Sequence, residues 1–122
     1  MELIDVEIKE GRFRLIGKIM IIGEDILAII GGGKIHIGAV GLSFPPSFNK
    51  LTSTSIITVP GHKDDVICKK IGEKLAKKFK KIVTTVSGIH YDDLKKEDIE
   101  KILNLSEKLA DKIVKILENK NE

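Results

Sequence analysis

Three histidines, His36, His62 and His90, are the side chains here best suited to chemistry near neutral pH, and each has a distinctive setting. His36 follows Gly31-Gly32-Gly33-Lys34-Ile35. His62 lies in Thr58-Val59-Pro60-Gly61-His62-Lys63-Asp64-Asp65, and His90 in Ser87-Gly88-Ile89-His90-Tyr91-Asp92-Asp93. Imidazoles, the ammonium groups of Lys34 and Lys63, and backbone N–H groups of Gly32 and Gly33 are the components of an anion or phosphate pocket. Gly61 permits a tight turn beside His62. Asp64, Asp65, Asp92 and Asp93 would orient the imidazoles or bind a cation.

Each residue also has a plainer reading. His36 is then a surface or core imidazole of a strand, His62 a residue at a helix start, and His90 a partner for nearby backbone. Three histidines and a carboxylate also suit zinc or iron. No short ligand spacing such as H-x-x-x-H supports that, so a metal is not expected. No nucleophile–base pair of recognisable spacing is present. Cys68 falls on an apolar helix stripe and reads as an inert core thiol.

The 122 residues suit one domain. Apolar residues make up 42% and aromatic residues 4%, with no tryptophan, so isoleucine, leucine and valine must supply the core. Lysine far outnumbers arginine and glutamine is absent, a bias associated with hyperthermophiles. A net charge of +3 is too small to argue for nucleic-acid binding. No apolar run approaches the roughly 18 residues of a membrane span, so no membrane association is expected. One cysteine cannot form an internal disulfide, which fits a reducing cytoplasm. The acidic beginning of the chain does not read as a signal peptide.

These groups need elements to hold them. Residues 2–9 alternate as a half-buried strand, and Glu10-Gly11 turns the chain. Residues 12–22 form a long second strand with Gly17 as a candidate bulge. After a turn at Gly23-Glu24-Asp25, residues 26–30 form a third strand, which the three glycines end in a loop. Residues 35–43 are predicted as a fourth strand, its Gly38 and Gly41 inviting close approach of another segment. The loop 44–52 holds Phe44 and Phe48, expected to cap the core, and residues 53–59 form a fifth strand. A helix over 63–78 carries a stripe of Ile67, Ile71, Leu75 and Phe79, widened by Cys68 and Ala76. Its lysines mark a solvated face. Residues 82–87 form a sixth strand, Gly88–Asp93 a loop, and 95–118 a second helix. That helix has a stripe through Ile99, Ile102, Leu109, Ile113 and Ile116, and Glu97–Lys101 and Asp111–Lys115 as ion pairs.

The expected fold is α+β: a mixed, mainly antiparallel six-stranded sheet in the order β-β-β-β-β-α-β-α, with two helices packed on it. One helix joins the fifth and sixth strands, so within one sheet they should run parallel. Their C-terminal ends then share an edge, which carries His62 and His90. A hairpin between the fourth and fifth strands brings His36, Lys34 and the glycines to the same edge, together with both helix N-termini.

Three segments carry a family resemblance. Gly31–Val40 resembles a G-G-x-x-x-H-I-G-A-V element. Residues 53–65 resemble a T-x-P-G-H-K-[DE]-[DE] element, and Ser87–Asp92 a G-I-H element. Together they resemble the small D subunit of gallate and related hydroxybenzoate decarboxylases, the prenylated-flavin chaperone-like domains, over about residues 29–117. Ile35 departs from the family's proline or polar residue. The resemblance implies a single non-catalytic chaperone-like domain over residues 1–122, with a fold similar to proteasome assembly chaperones. It implies a homodimer, FMN or prenylated FMN as ligand, and a prenylated-flavin decarboxylase as partner. His36, His62 and His90 would contact the flavin or its phosphate, Lys34 and Lys63 would neutralise charge, and Gly32, Gly33, Gly61 and Asp64 would complete the site. Two alternatives stay open: a protein-assembly chaperone without small ligand, working through a dimer surface and the Phe44–Phe48 loop, and a metal-dependent enzyme using the three histidines.

Overall fold

A computed structural model of the chain describes residues 2–46, 52–60 and 64–120. Six strands and two helices follow in the order β1 (Leu3–Glu10), β2 (Phe13–Ile22), β3 (Asp25–Gly33), β4 (Ala39–Phe44), β5 (Ser53–Thr58), α1 (Asp65–Phe79), β6 (Val83–His90) and α2 (Lys96–Lys120). They form one mixed sheet, β1-β2-β3-β6-β4-β5, in which only the β3–β6 pair is parallel. The α+β reading is therefore borne out. β5 and β6 run in the same direction with β4 between them, antiparallel to both.

Both helices cover the same face of the sheet. Gly17 pairs with Val6 and Ile30 in unbroken register, so it is not a bulge. A Cβ there would meet Ile113 and Leu109 of α2 at 3.6 and 3.9 Å, ordinary contact distances. At the other end α1 lies very close to the sheet. A Cβ on Gly72 would stand 2.4 Å from Ser43 Oγ, and one on Gly41 would stand 2.7 Å from Cys68 Sγ. Only small residues fit beneath α1, so β4 turns Ala39, Gly41 and Ser43 inward. Leu15, Ile19, Ile30, Ile71, Leu75, Leu105, Leu109 and Ile113 fill the core between the layers. Cys68 is fully buried there, and burial, then the nearby Asp65 and Asp64, push its thiol up to about 11. It is an inert core thiol, as its place on the stripe predicted.

The helices are tied by ion pairs that cross between them. Lys70 meets Glu107 at 3.5 Å, Lys78 meets Glu118 at 2.9 Å, and Lys74 meets Asp111. Asp111 thus reaches across to α1 rather than along α2 to Lys115. Ile99, counted in the apolar stripe, is half exposed, and burial along α2 begins only at Ile102.

Among the described residues no helix lies on the opposite face of the sheet. One row across all six strands reads Asp5, Lys18, Ile29, Val86, Val40, Ile57; the next reads Leu3, Met20, Leu27, Thr84, Leu42, Ser55. Ile29, Val40, Leu42 and Phe44 are each more than a third exposed, and Ile57 is 79% exposed. Phe44 was expected to cap the core; it stands on this open face instead, because its alternation places it opposite Ser43. Phe48 lies outside the described residues.

Three boundaries differ from the sequence reading by three residues or more, all at one corner. Gly31, Gly32 and Gly33 are not a loop but the end of β3. They pair with Gly88, Ile89 and His90, which are not a loop but the end of β6. Residues 35–38, read as the start of the fourth strand, lie outside the ladder.

Candidate functional site

The C-terminal ends of β3 and β6 lie side by side, with Gly33 paired to His90. β3 leaves the sheet at Gly33, whose φ of +64° is a backbone geometry that favours glycine. A Cβ there would also stand 2.1 Å from the carbonyl oxygen of His90. The chain then crosses back over the corner. Lys34 N–H donates to His90 O and Gly38 N–H donates to Ser87 O, both at 2.9 Å. Between these anchors the backbone of His36 lies directly on Gly88.

That crossing sets His36 against Asp64. His36 Nδ1 is 3.0 Å from the Lys34 carbonyl, and its Nε2 is 3.5 Å from Asp64 Oδ2. Asp64 precedes α1 but does not cap it with its side chain. Its Oδ1 instead accepts the Ile89 N–H at 2.9 Å, and its carbonyl accepts the Ser87 hydroxyl and the Cys68 N–H. Gly38 has no side chain because Asp64 Oδ2 would stand 1.9 Å from its Cβ. The close approach expected at Gly38 is thus made by a carboxylate of the protein itself.

Beside this buried pair stands an exposed one. His90 Nε2 is 3.0 Å from Asp92 Oδ1, and Lys34 Nζ donates to Asp92 Oδ2 at 3.0 Å. The Lys34 hydrogen bond, and then that of His90, hold the Asp92 carboxyl below the usual carboxylate range. The rings of His36 and His90 are 6.2 Å apart, edge to face. Ile35 and Ile37, on either side of His36, are 55% and 64% exposed.

The structure therefore brings together Lys34, His36, Asp64, His90 and Asp92 from three separate stretches. Gly32 lies at the same corner but inside the sheet, where a Cβ would stand 2.6 Å from Leu15 Cδ2. Gly61, His62 and Lys63 lie outside the described residues. Among the described residues no group of three or more His, Cys, Asp or Glu side chains could hold a metal ion. Tyr91 and Arg12 join the site without having been singled out from the sequence. Tyr91 is the chain's one tyrosine and adjoins His90, a signal that was available. Arg12 sits at a hairpin turn, and nothing local tells that it reaches Asp92.

The architecture and this rim define a class first: a two-layer α+β domain with one bare sheet face and a polar corner. The same fold is seen in a chain from the crystal structure of a novel chaperone complex for yeast 20S proteasome assembly. That chain has a TM-score of 0.64 and 11% identity, with 93% of this chain and 95% of that chain covered. The family is narrower. Residues 9–118 match the prenylated flavin chaperone LpdD-like domain, and the chain belongs to that family. Membership supports a chaperone role. No curated protein matches the chain. Among the described residues no helix is long and apolar enough to cross a membrane.

Proposed function

We propose that the protein is a non-catalytic, cytoplasmic accessory chaperone that binds FMN or prenylated FMN and passes it to a decarboxylase, as the small D subunits of gallate and hydroxybenzoate decarboxylases are thought to do. The observation that carries this reading is the convergence of Lys34, His36 and His90 on one corner, backed by exposed Ile35 and Ile37. The cationic donors fit a phosphate, and the isoleucines fit the apolar ring system attached to it. Lys34 is already held by Asp92, so a phosphate must compete for the ammonium. Asp64 supports His36 from behind, and Gly32 and Gly33 shape the corner. In this reading Gly61, His62 and Lys63 belong to the binding residues as well. When bound, flavin supplies the chemistry of the partner enzyme; this chain's residues hold and shield it.

Isothermal titration with FMN and with prenylated FMN tests this. Saturable binding is expected, and Lys34→Ala should weaken it about tenfold, an effect that shrinks as salt is raised. No heat from either flavin, with no shift in melting temperature, would overturn the reading.

A specific observation favours a second element, a homodimer formed through the open sheet face. That face is apolar across β3, β6, β4 and β5. Four of its charges pair within the face, Asp5 with Lys18 at 2.5 Å and Glu7 with Arg14 through two bonds of 2.6 and 2.9 Å, which leaves Lys9 opposite Arg14 as one extra positive charge toward the β1 edge. The lysine-rich surfaces of α1 lie on the other side. Two copies of a basic chain meet with least repulsion through the face whose charges most nearly cancel. Sedimentation should show a dimer. Val40→Asp buries an uncompensated carboxylate in that interface and should weaken it at least about thirtyfold. A wild-type chain that stays monomeric at high concentration would sink this element and leave the flavin site standing.

A further inference from the structure

The register between β2 and β3 ends at Leu15 and Gly32, because β3 turns away at Gly33. Arg14 therefore has no partner in β3, and its backbone N–H and carbonyl need one. Tyr91 supplies it. Arg14 N–H donates to the Tyr91 hydroxyl at 2.8 Å, and the same hydroxyl donates to Arg14 O at 2.9 Å. One side chain thus takes the place of a strand residue.

The ring that carries this hydroxyl is fixed as well. It stands edge-on to Phe13, with centroids 5.0 Å apart at 88°. Arg12 lies 4.8 Å from the Phe13 ring centroid and 5.9 Å from that of Tyr91, within cation–π range of both. Its guanidinium reaches the carbonyl of Asp92 at 3.4 Å and that of Asp93 at 3.5 Å, and faces Asp98 at 3.7 Å. The β1–β2 turn is far from His90 in sequence, yet Arg12 holds the two backbone carbonyls that follow the Asp92 side chain, while Tyr91, just before it, is held by β2 through its hydroxyl. From the other side Asp92 takes Lys34 and His90.

We propose that Tyr91, assisted by Arg12, is the positioning residue of this corner: it clips the 91–93 loop to β2 so that Asp92 holds Lys34 and His90 in place before any ligand arrives. Preorganised donors lose less on binding than donors that must first be collected. The consequence for affinity rests on the flavin reading above; the clip itself does not.

Tyr91→Phe keeps the ring and removes the hydroxyl. The readout is the titration of the Asp92 carboxyl carbon by NMR in the ligand-free protein, with Lys34, His90 and Arg12 as the charged groups around it. The Asp92 midpoint is expected to rise toward the ordinary carboxylate range, while amide shifts of α1 and α2 stay unchanged. FMN affinity should fall about fivefold, the scale of one hydrogen bond. Arg12→Met keeps the stem over Phe13 and should move Asp92 in the same direction; it carries the test if Tyr91→Phe does not fold. An Asp92 titration that stays at its wild-type position in the folded variant overturns the proposal. If Asp92 moves but neither protein binds flavin, the clip stands and the flavin reading falls.

Discussion

Gly88→Ala is expected to lift the segment 34–38 off the sheet. The new Cβ would stand 1.5 Å from the carbonyl oxygen of His36 and 2.4 Å from its carbonyl carbon. Both are backbone atoms, so no rotamer relieves the clash. The segment cannot slide aside either, since Lys34 N–H and Gly38 N–H are bonded to His90 and Ser87, the residues flanking this contact on β6. Overpacking of about 1–3 kcal/mol, with loss of two backbone hydrogen bonds at about 1 kcal/mol each, gives a loss of about 3–5 kcal/mol. Urea unfolding measures it. His36 would leave Asp64, and flavin affinity should fall by at least about tenfold, since the imidazole leaves the rim. Gly31→Ala is the control. Its Cβ would also be too close to something, at 2.7 Å, but it meets Cγ2 and Cγ1 of the half-exposed Ile35 side chain rather than backbone, so a χ1 change or a small shift of Ile35 relieves it. It should cost about 1–2 kcal/mol, less than half the loss in Gly88→Ala. Equal losses in the two variants would mean that the crossing is not seated on Gly88.

The same corner separates what could be read in the sequence from what could not. Alternation and helix stripes placed the six strands and two helices, and strand direction alone put His36 and His90 on one edge. The glycines misled. A run of three reads as a loop because local signals count only what glycine permits. Here Gly31 and Gly32 stay in the ladder because the side chains of Ile35 and Leu15 fill the spaces that theirs would need. Gly88 is empty for the same reason, and its partner is glycine-rich too, so neither run revealed the other. Ile35-His36-Ile37 alternates like a strand, but its alternation serves the crossing, with His36 turned in and both isoleucines out. In β4 the usual inference is reversed. Val40, Leu42 and Phe44 are the larger residues, and a sequence reader puts them in the core. The tight seat of α1 at Gly72 admits only Ala39, Gly41 and Ser43 beneath it, which sends the larger side chains to the bare face. Packing distance between layers decides this, and one strand's sequence does not contain it.

Asp64→Ala should cost about 2–4 kcal/mol, although the residue sits beside a helix end where a cap is usually worth less. Its carboxylate makes no cap bond. It accepts the Ile89 N–H and faces His36 while only 6% of its side chain meets solvent. Alanine leaves that N–H without an acceptor and opens a gap against Gly38. Asp64→Asn keeps an oxygen for Ile89 and the volume, and removes only the charge toward His36, so its cost should be less than half as large. Denaturant titration of the two variants separates acceptor from charge; similar losses would mean that the Ile89 bond contributes little. The comparison also bears on roles at the rim. Asp92, at 60% side-chain exposure, can meet a ligand and exchange Lys34 with it. Asp64 is already committed to the protein's own backbone. In the proposed site a ligand would meet His36, His90 and Lys34, while Asp64 holds the His36 imidazole from behind, so loss of Asp64 should register first in stability and only then in binding.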